Sequence, residues 1–225
     1  SEAVAESREA FGTVVPFTHD GVTQLLVAGG DCLTAHDPKN GREVWRWGTW
    51  NPERIGHWRL VPTPCPGAGL VVIPAPKKAP VYGVYLGGSG DLGEESLAWK
   101  TDPDEATSDV SSALFYEGRF YLVDGDRRDK ALVCLDPADG KVIWRGALET
   151  RDKMEAAPTG GDGKIYMIDH GGKVFVARAG GSAFELLHQV EMGERGDEPI
   201  RSSVVAAGGG IFLRIGARLY HIGRE

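Results

Sequence analysis

A short phrase that the chain uses twice constrains its fold more than any other feature. Residues 35–46 (AHDPKNGREVWR) return as residues 134–145 (CLDPADGKVIWR). Asp-Pro, two polar residues and Gly make a turn: Pro fixes φ at the first corner, Asp bonds back to the backbone, and Gly accepts a positive φ. The flanks are strand-like and end in Trp-Arg. Each copy therefore predicts a hairpin that buries a Trp, and a recurring hairpin indicates a repeat protein.

A second pattern runs in phase with the first. Five glycines recur about 45–50 residues apart, and each precedes a stretch of β-branched or aromatic residues. A Pro or another apolar residue stands five positions before each of them. These glycines are Gly21, Gly69, Gly118, Gly163 and Gly209. The spacing is typical of four-stranded propeller blades and predicts an all-β propeller of antiparallel blades.

The two patterns together divide the chain into units. We interpret residues 1–12 as a linker or N-terminal segment and residues 13–225 as propeller repeats. The blades are predicted at about 13–50, 60–100, 110–147, 155–192 and 201–222. Four of them are complete, and the fifth has only three strand signals.

The incomplete fifth unit affects how the propeller ring can close. A propeller ring closes when strands from its two ends complete one blade, which removes open sheet edges. The polar residues 1–10 are poor candidates for that strand, although five-bladed self-closure stays an alternative. Since the chain also begins without Met, we expect a processed product or fragment, forming one arc of a seven- or eight-bladed propeller. Another chain or a missing segment would complete the ring.

The composition and the residue spacing argue against several classes of function. The formal net charge is −7 and the pI is about 5.4, without a Lys/Arg cluster suited to nucleic acid. No apolar run reaches the length of a membrane span. Three scattered Cys and six scattered His show no metal-ligand spacing, and no nucleophile motif is present, so neither catalytic nor metal residues are predicted. The oxygen-rich residues 124–129 suggest a calcium loop but lack its regular spacing, and we interpret them as a hairpin turn.

The repeated phrase resembles the pyrroloquinoline-quinone-like propeller repeat. That repeat occurs in quinoprotein alcohol dehydrogenases and in a non-catalytic branch that includes an outer-membrane assembly lipoprotein, which this chain resembles more. The resemblance implies a bacterial protein in the periplasm or outside the cell. It also implies a structural role for the residues that match the repeat: Asp37, Gly41, Trp45, Trp99, Asp136, Gly140 and Trp144.

The catalytic branch of that family carries features that can be sought here. It places two adjacent cysteines against the quinone and holds calcium with Glu, Asn and Asp. This chain has no adjacent Cys pair, and its two Asn residues, Asn40 and Asn51, lie in a turn and in a loop between blades. We therefore expect no cofactor, with pyrroloquinoline quinone plus calcium as the alternative.

The candidate binding residues follow from the register. Residues at the start of each innermost strand should lie at the mouth of the central channel, and Glu155 and Arg201 hold the same position in adjacent blades, so they are expected to pair. Trp50 and Trp58 are not explained by the repeat and, with nearby Arg, are typical of protein-binding hot spots. The predicted binding set is Trp50, Trp58, Arg59, Asp109, Glu155 and Arg201.

The sequence thus favours a non-enzymatic binding or scaffold propeller that presents its channel mouth and inter-blade loops to a protein or peptide. A quinoprotein-like oxidoreductase is the first alternative, and fold-level analogy alone favours it. A glycan-binding propeller that uses Trp50 and Trp58 as stacking platforms is the second.

Overall fold

The computed structural model describes residues 9–48, 50–53, 55–192 and 198–223, and they confirm the predicted all-β propeller fold. The helical content of these residues is a single 3-10 turn, Glu94–Ser96. Residues 1–8 of the predicted linker lie outside the described residues. None of the described segments forms a helix of the length and apolarity that crossing a bilayer requires.

Most strands form antiparallel sheets that follow one another in chain order. The strands are β1 (Glu9–Ala10), β2 (Val15–His19), β3 (Val22–Ala28), β4 (Leu33–His36), β5 (Glu43–Trp47), β6 (Arg59–Leu60), β7 (Cys65–Gly67), β8 (Leu70–Pro74), β9 (Val81–Tyr85), β10 (Gly90–Leu92), β11 (Leu97–Lys100), β12 (Leu114–Tyr116), β13 (Arg119–Asp124), β14 (Ala131–Leu135), β15 (Val142–Ala147), β16 (Thr159–Gly161), β17 (Lys164–Ile168), β18 (Lys173–Arg178), β19 (Leu186–Glu191), β20 (Val205–Ala207), β21 (Gly210–Ile215) and β22 (Arg218–Gly223). Blade 1 contains β2–β5, blade 2 contains β7–β9 and β11, blade 3 contains β12–β15, blade 4 contains β16–β19, and blade 5 contains β20–β22. The strands of each blade are called A to D in chain order.

The recurring glycines close the A–B hairpin of every blade. Each is the second of two consecutive residues with positive φ, the pattern of a type I′ turn, which matches the twist of the flanking strands. The pairs are Asp20-Gly21, Ala68-Gly69, Glu117-Gly118, Asp162-Gly163 and Gly208-Gly209. The glycine signal in the sequence therefore reports this one turn.

The two Asp-Pro phrases form the same C–D turn. Asp37 accepts a hydrogen bond from the Lys39 amide at its side chain (2.8 Å) and one from the Gly41 amide at its carbonyl (2.8 Å). Asp136 repeats both bonds at 2.9 Å with the amides of Ala138 and Gly140. The local sequence thus determines the turn.

The repeat tryptophans are buried between blades, as the resemblance implied. Trp45 is 0% exposed, and Trp99 and Trp144 are each 6% exposed. The indole of Trp99 donates to the Pro137 carbonyl at 2.8 Å, and that of Trp144 donates to the Gly180 carbonyl at 3.3 Å. In each case, the outer strand of one blade docks on the C–D turn of the next.

Trp45 uses a different partner. Its indole donates to Gln24 Oε1 at 3.0 Å, within its own blade. The reason lies in blade 2, where a Gly-rich segment between strands C and D crosses to blade 1. There β10 pairs in parallel with β5, with Gly90 opposite Trp45 and Leu92 opposite Trp47.

The innermost strands define the channel. β7 contacts β12, β12 contacts β16, and β16 contacts β20, so the A strands of blades 2–5 lie side by side. Apolar clusters fill the spaces between successive blades. The blades therefore stack face to face around an axis that the A strands line.

The sheets form an open arc among the described residues. β1 pairs in parallel with β6, so Glu9–Ala10 contributes to the start of blade 2. β22 pairs with β21 and, within the described residues, with no further strand. The described part of the N-terminal segment thus does not complete blade 5.

Candidate functional site: a charged rim at one end of the channel

The two ends of the propeller are formed by different loops. Because the strands of each blade alternate in direction, the B–C loops and the connections between blades lie at one end, which we call the connection face. The A–B and C–D turns lie at the other end, the turn face. The connection face carries most of the predicted binding residues.

Ion pairs between neighbouring blades line the connection face. The B–C loop of blade 2 provides Lys77, whose Nζ lies 3.9 Å from Asp109 Oδ2 before blade 3, while the Lys77 amide donates to Asp109 Oδ1 at 2.5 Å. The B–C loop of blade 3 provides Asp126, whose Oδ1 lies 3.2 Å from Lys153 Nζ before blade 4. The B–C loop is thus cationic at the first of these interfaces and anionic at the second, and the connection carries the opposite charge in each case.

Glu155 links blades 4 and 5. Its Oε2 accepts a hydrogen bond from Arg201 Nε at 2.7 Å, and His170 Nε2 lies 3.1 Å from the same oxygen. The pairing expected from the register of Glu155 and Arg201 is present. Burial on its own raises the pKa of Glu155, but the Arg201 guanidinium and His170 together outweigh it, so the pKa lies below its usual value.

These groups meet around one small cavity of about 250 Å³. Its charged lining residues are Arg59, Lys77, Asp109, Asp126, Lys153 and Glu155, with Val61 and Val110 between them. Arg59 Nε lies 2.7 Å from Glu9 Oε2. The structure therefore brings together three of the predicted residues, Arg59, Asp109 and Glu155, and places Arg201 beside them through its bond to Glu155.

The two tryptophans of the predicted set are placed differently. Trp50 is 2% exposed, packs in the core between blades 1 and 2, and donates its indole N–H to the Gly30 carbonyl at 3.1 Å. It is a core residue and cannot stack against a ligand, which corrects its assignment as a contact surface. Trp58 is half-buried in the connection that leads to blade 2, outside the cavity lining.

Sequence reasoning missed four of the groups at this rim: Lys77, Asp126, Lys153 and His170. Lys77 and Lys78 have φ values of 60° and 61°, a left-handed pair at the hairpin position where Asn-Gly is usual. Left-handed non-Gly residues carry strain and cluster at functional sites. A pair of lysines gives no turn signal in a sequence, so this feature was visible in the structure alone.

The residues considered for calcium have other partners. The Asp124 side chain is 2% exposed and lies 3.1 Å from Arg127 Nε and 2.8 Å from Arg145 Nη2. The amide of Asn40 bonds Asp37, and that of Asn51 bonds the Ile55 backbone. Within the described ranges, no three His, Cys, Asp or Glu side chains are grouped to hold a metal ion. The rim offers fixed, paired charges and hydrogen-bonding groups.

Comparisons with known proteins place this architecture in a family. A family model described as "Outer membrane protein assembly factor BamB" matches residues 33–212. Among solved structures, the crystal structure of BamB from Moraxella catarrhalis aligns with a TM-score of 0.62 and 10% identity, covering 95% of this chain and 59% of that chain. The computationally designed Ika8 protein aligns with a TM-score of 0.49 and 12% identity, over 91% of this chain and 66% of that chain. No curated protein matches the chain.

The likeness to the Moraxella protein concerns the fold, and the present chain spans 59% of its length.

Proposed function

Because the chain belongs to the family of the outer membrane protein assembly factor BamB, we propose that it is a non-enzymatic scaffold propeller that holds a protein partner at its connection face. The family supports protein binding in a general way. The partner would be a component of outer-membrane protein assembly, and the location would be the periplasm. The observation that carries the choice of surface is the rim of paired charges around the 250 Å³ cavity.

Rigidity supports this choice. The rim side chains project from loops and connections that join strands packed into apolar clusters, and such loops on a rigid scaffold commonly carry binding function. Backbone bonds hold the connections in place: the Met154 amide donates to the Gly125 carbonyl, and the His170 amide donates to the Lys153 carbonyl. A partner would therefore meet preformed charges and lose little affinity in ordering them.

Independence from a cofactor is part of the proposal. It is supported by the lack of an adjacent Cys pair in the sequence and by the structural hydrogen bonds of Asn40 and Asn51. The absorbance spectrum and calcium content of the purified protein test it. A bound quinone with stoichiometric calcium would favour the oxidoreductase alternative instead.

Site-specific photo-cross-linking in the source bacterium tests the choice of face. A photoreactive residue replaces Lys78, which is exposed on the connection face, or Lys141, which is exposed on the turn face. We expect adducts with identified outer-membrane assembly proteins from position 78 and few from position 141. Adducts from position 141 alone, or none with that machinery from either position, would refute the proposal.

A further inference from the structure

At the rim, cations are more exposed than the carboxylates with which they pair. In three of its ion pairs, the cation is exposed and its carboxylate is more buried. The side chains of Lys77, Lys153 and Arg201 are 53%, 59% and 63% exposed. Those of their partners Asp109, Asp126 and Glu155 are 21%, 22% and 15% exposed. These three pairs thus present their cations outward in a protein whose net charge is −7.

The recessed carboxylates are held in place. The backbone amide of Lys77 binds Asp109, and Glu155 lies between His170 and Arg201, so these anions stay below their cations. Each ammonium group has three N–H donors, and one nearby carboxylate does not occupy all of them. Lys77 and Lys153 therefore keep donors directed at solvent, and Lys78 adds a further exposed cation beside Lys77.

We propose that this rim binds an acidic segment of the protein partner, in which Asp or Glu side chains bridge Lys77, Lys153 and Arg201. The inference rests on the proposed function, because it names the chemistry that the partner brings to the same face. The outward cations provide the charge complementarity that gives such contacts specificity and a fast association rate.

A peptide fits this rim better than a nucleic acid does. Carboxylates lie immediately beneath the cations, so the positive potential extends over a short range and suits separate side chains rather than a continuous row of phosphates. The overall charge of −7 repels a long polyanion in addition.

Fluorescence anisotropy with a labelled octaglutamate peptide and the complete chain tests the proposal. We expect binding that weakens with added salt and is absent for the matched octaglutamine peptide. The double variant K77E/K153E should bind the acidic peptide at least about tenfold more weakly, because two attractive contacts become repulsive. The neutral variant K77M/K153M should fall between, which guards against an effect on folding.

A matched control exists on the turn face. Lys141 and Lys164 are also paired to nearby carboxylates, at 2.6 Å from Asp139 and Asp162. The variant K141E/K164E has the same net charge as K77E/K153E, and we expect its affinity to stay within about twofold of wild type.

Equal losses in the two double variants would overturn the proposal in favour of a response to overall charge. Binding of inorganic polyphosphate in preference to octaglutamate would overturn it in favour of a general polyanion site. If octaglutamate fails to bind while photo-cross-links still form at position 78, the acidic ligand is refuted and the scaffold function survives. If neither is observed, both proposals fail.

Discussion

Blades 1 and 3 have the same strand register, but one of their sheet faces differs in composition. It is the face that each blade directs away from the blade that follows it in the chain. In blade 3, the pairs Phe120–Leu135 and Leu122–Val133 are completely buried against blade 2. The pairs at the same positions of blade 1 are Leu25–His36 and Val27–Thr34. Half of the apolar residues are thus replaced by polar ones on this face.

The polar residues of blade 1 satisfy each other. His36 Nε2 lies 2.9 Å from Thr34 Oγ1, and Thr34 Oγ1 donates to the Val27 carbonyl at 3.3 Å. The C–D turns repeat the contrast: a Cβ on Gly140 would lie 2.5 Å from the Trp99 ring, whereas a Cβ on Gly41 would have no described atom within 4 Å. Hairpin geometry is therefore independent of the neighbouring blade, and the composition of the sheet face is what adapts to packing.

Removal of a docked tryptophan should give the largest effect. Trp144→Ala deletes a ring that contacts Tyr121 and Phe184 between blades 3 and 4, and we expect a loss of about 3–5 kcal/mol in the free energy of unfolding. Urea unfolding measures this loss. Phe11→Ala, at a side chain that is 62% exposed, is the control and should cost less than about 1 kcal/mol. A loss below about 1 kcal/mol for Trp144→Ala would contradict the packing described.

Exchanging the residue types at one equivalent position of the two faces tests the comparison directly. Leu135→His places an imidazole in an apolar interface and should cost about 3 kcal/mol. His36→Leu makes the opposite change on the half-exposed face and should alter stability by less than about 1 kcal/mol. Unfolding curves of the two variants decide this. Similar losses in both would mean that the two faces have similar surroundings in solution.

The two turn glycines provide a finer test. Both have a positive φ, +72° at Gly41 and +70° at Gly140, so Ala at either position pays a backbone cost of about 1 kcal/mol. Gly140→Ala also forces its Cβ against Trp99, for a total of about 2–3 kcal/mol. The difference between the two variants in thermal or urea unfolding therefore measures the docked ring alone. Equal costs would show that the ring moves aside freely.

The smallest effect concerns the charged contact between blades 4 and 5. Since the folded-state pKa of Glu155 lies below its unfolded value, its contribution to stability is complete above the unfolded pKa, about 4.3, and is lost as the pH falls through the folded pKa. Wild-type stability should therefore fall more steeply below about pH 4.3 than that of Glu155→Gln. Unfolding measured between pH 7 and pH 3 checks this. Parallel profiles for the two proteins would show that the ionised Glu155 side chain does not contribute to stability.

Much of the fold could be predicted from the sequence because the residues that specify its turns lie close together in the chain. Asp136, Gly140 and Trp144 specify a turn and a docking residue within nine positions, and the type I′ glycines specify the hairpins. β10 was missed because its pairing with β5 depends on residues 45 positions away, and a Gly-rich segment is equally compatible with a turn.

The site was predictable in part for the same reason. Strand register predicted that Arg59, Asp109, Glu155 and Arg201 lie at the mouth of the channel, and the structure places them at the connection face. Lys77 and Lys153 come from loops and connections that have no periodicity, and Lys77 lies in a turn that its residue types disfavour. Trp50 has the composition of a binding residue, yet burial decides its role, and burial in a connection does not follow from sequence alone.

The short crossing strand of blade 2 has a further consequence for cooperativity. Because β10 belongs to the chain of blade 2 and pairs with the outer strand of blade 1, neither blade can open without breaking backbone contacts to the other. Native-state hydrogen exchange should then report a single cooperative unit for the amides of Trp45, Trp47 and the strands of blade 2. The same strand covers an outer edge that would otherwise be free to recruit strands from other molecules, so the crossing also protects blade 1 against edge-to-edge aggregation.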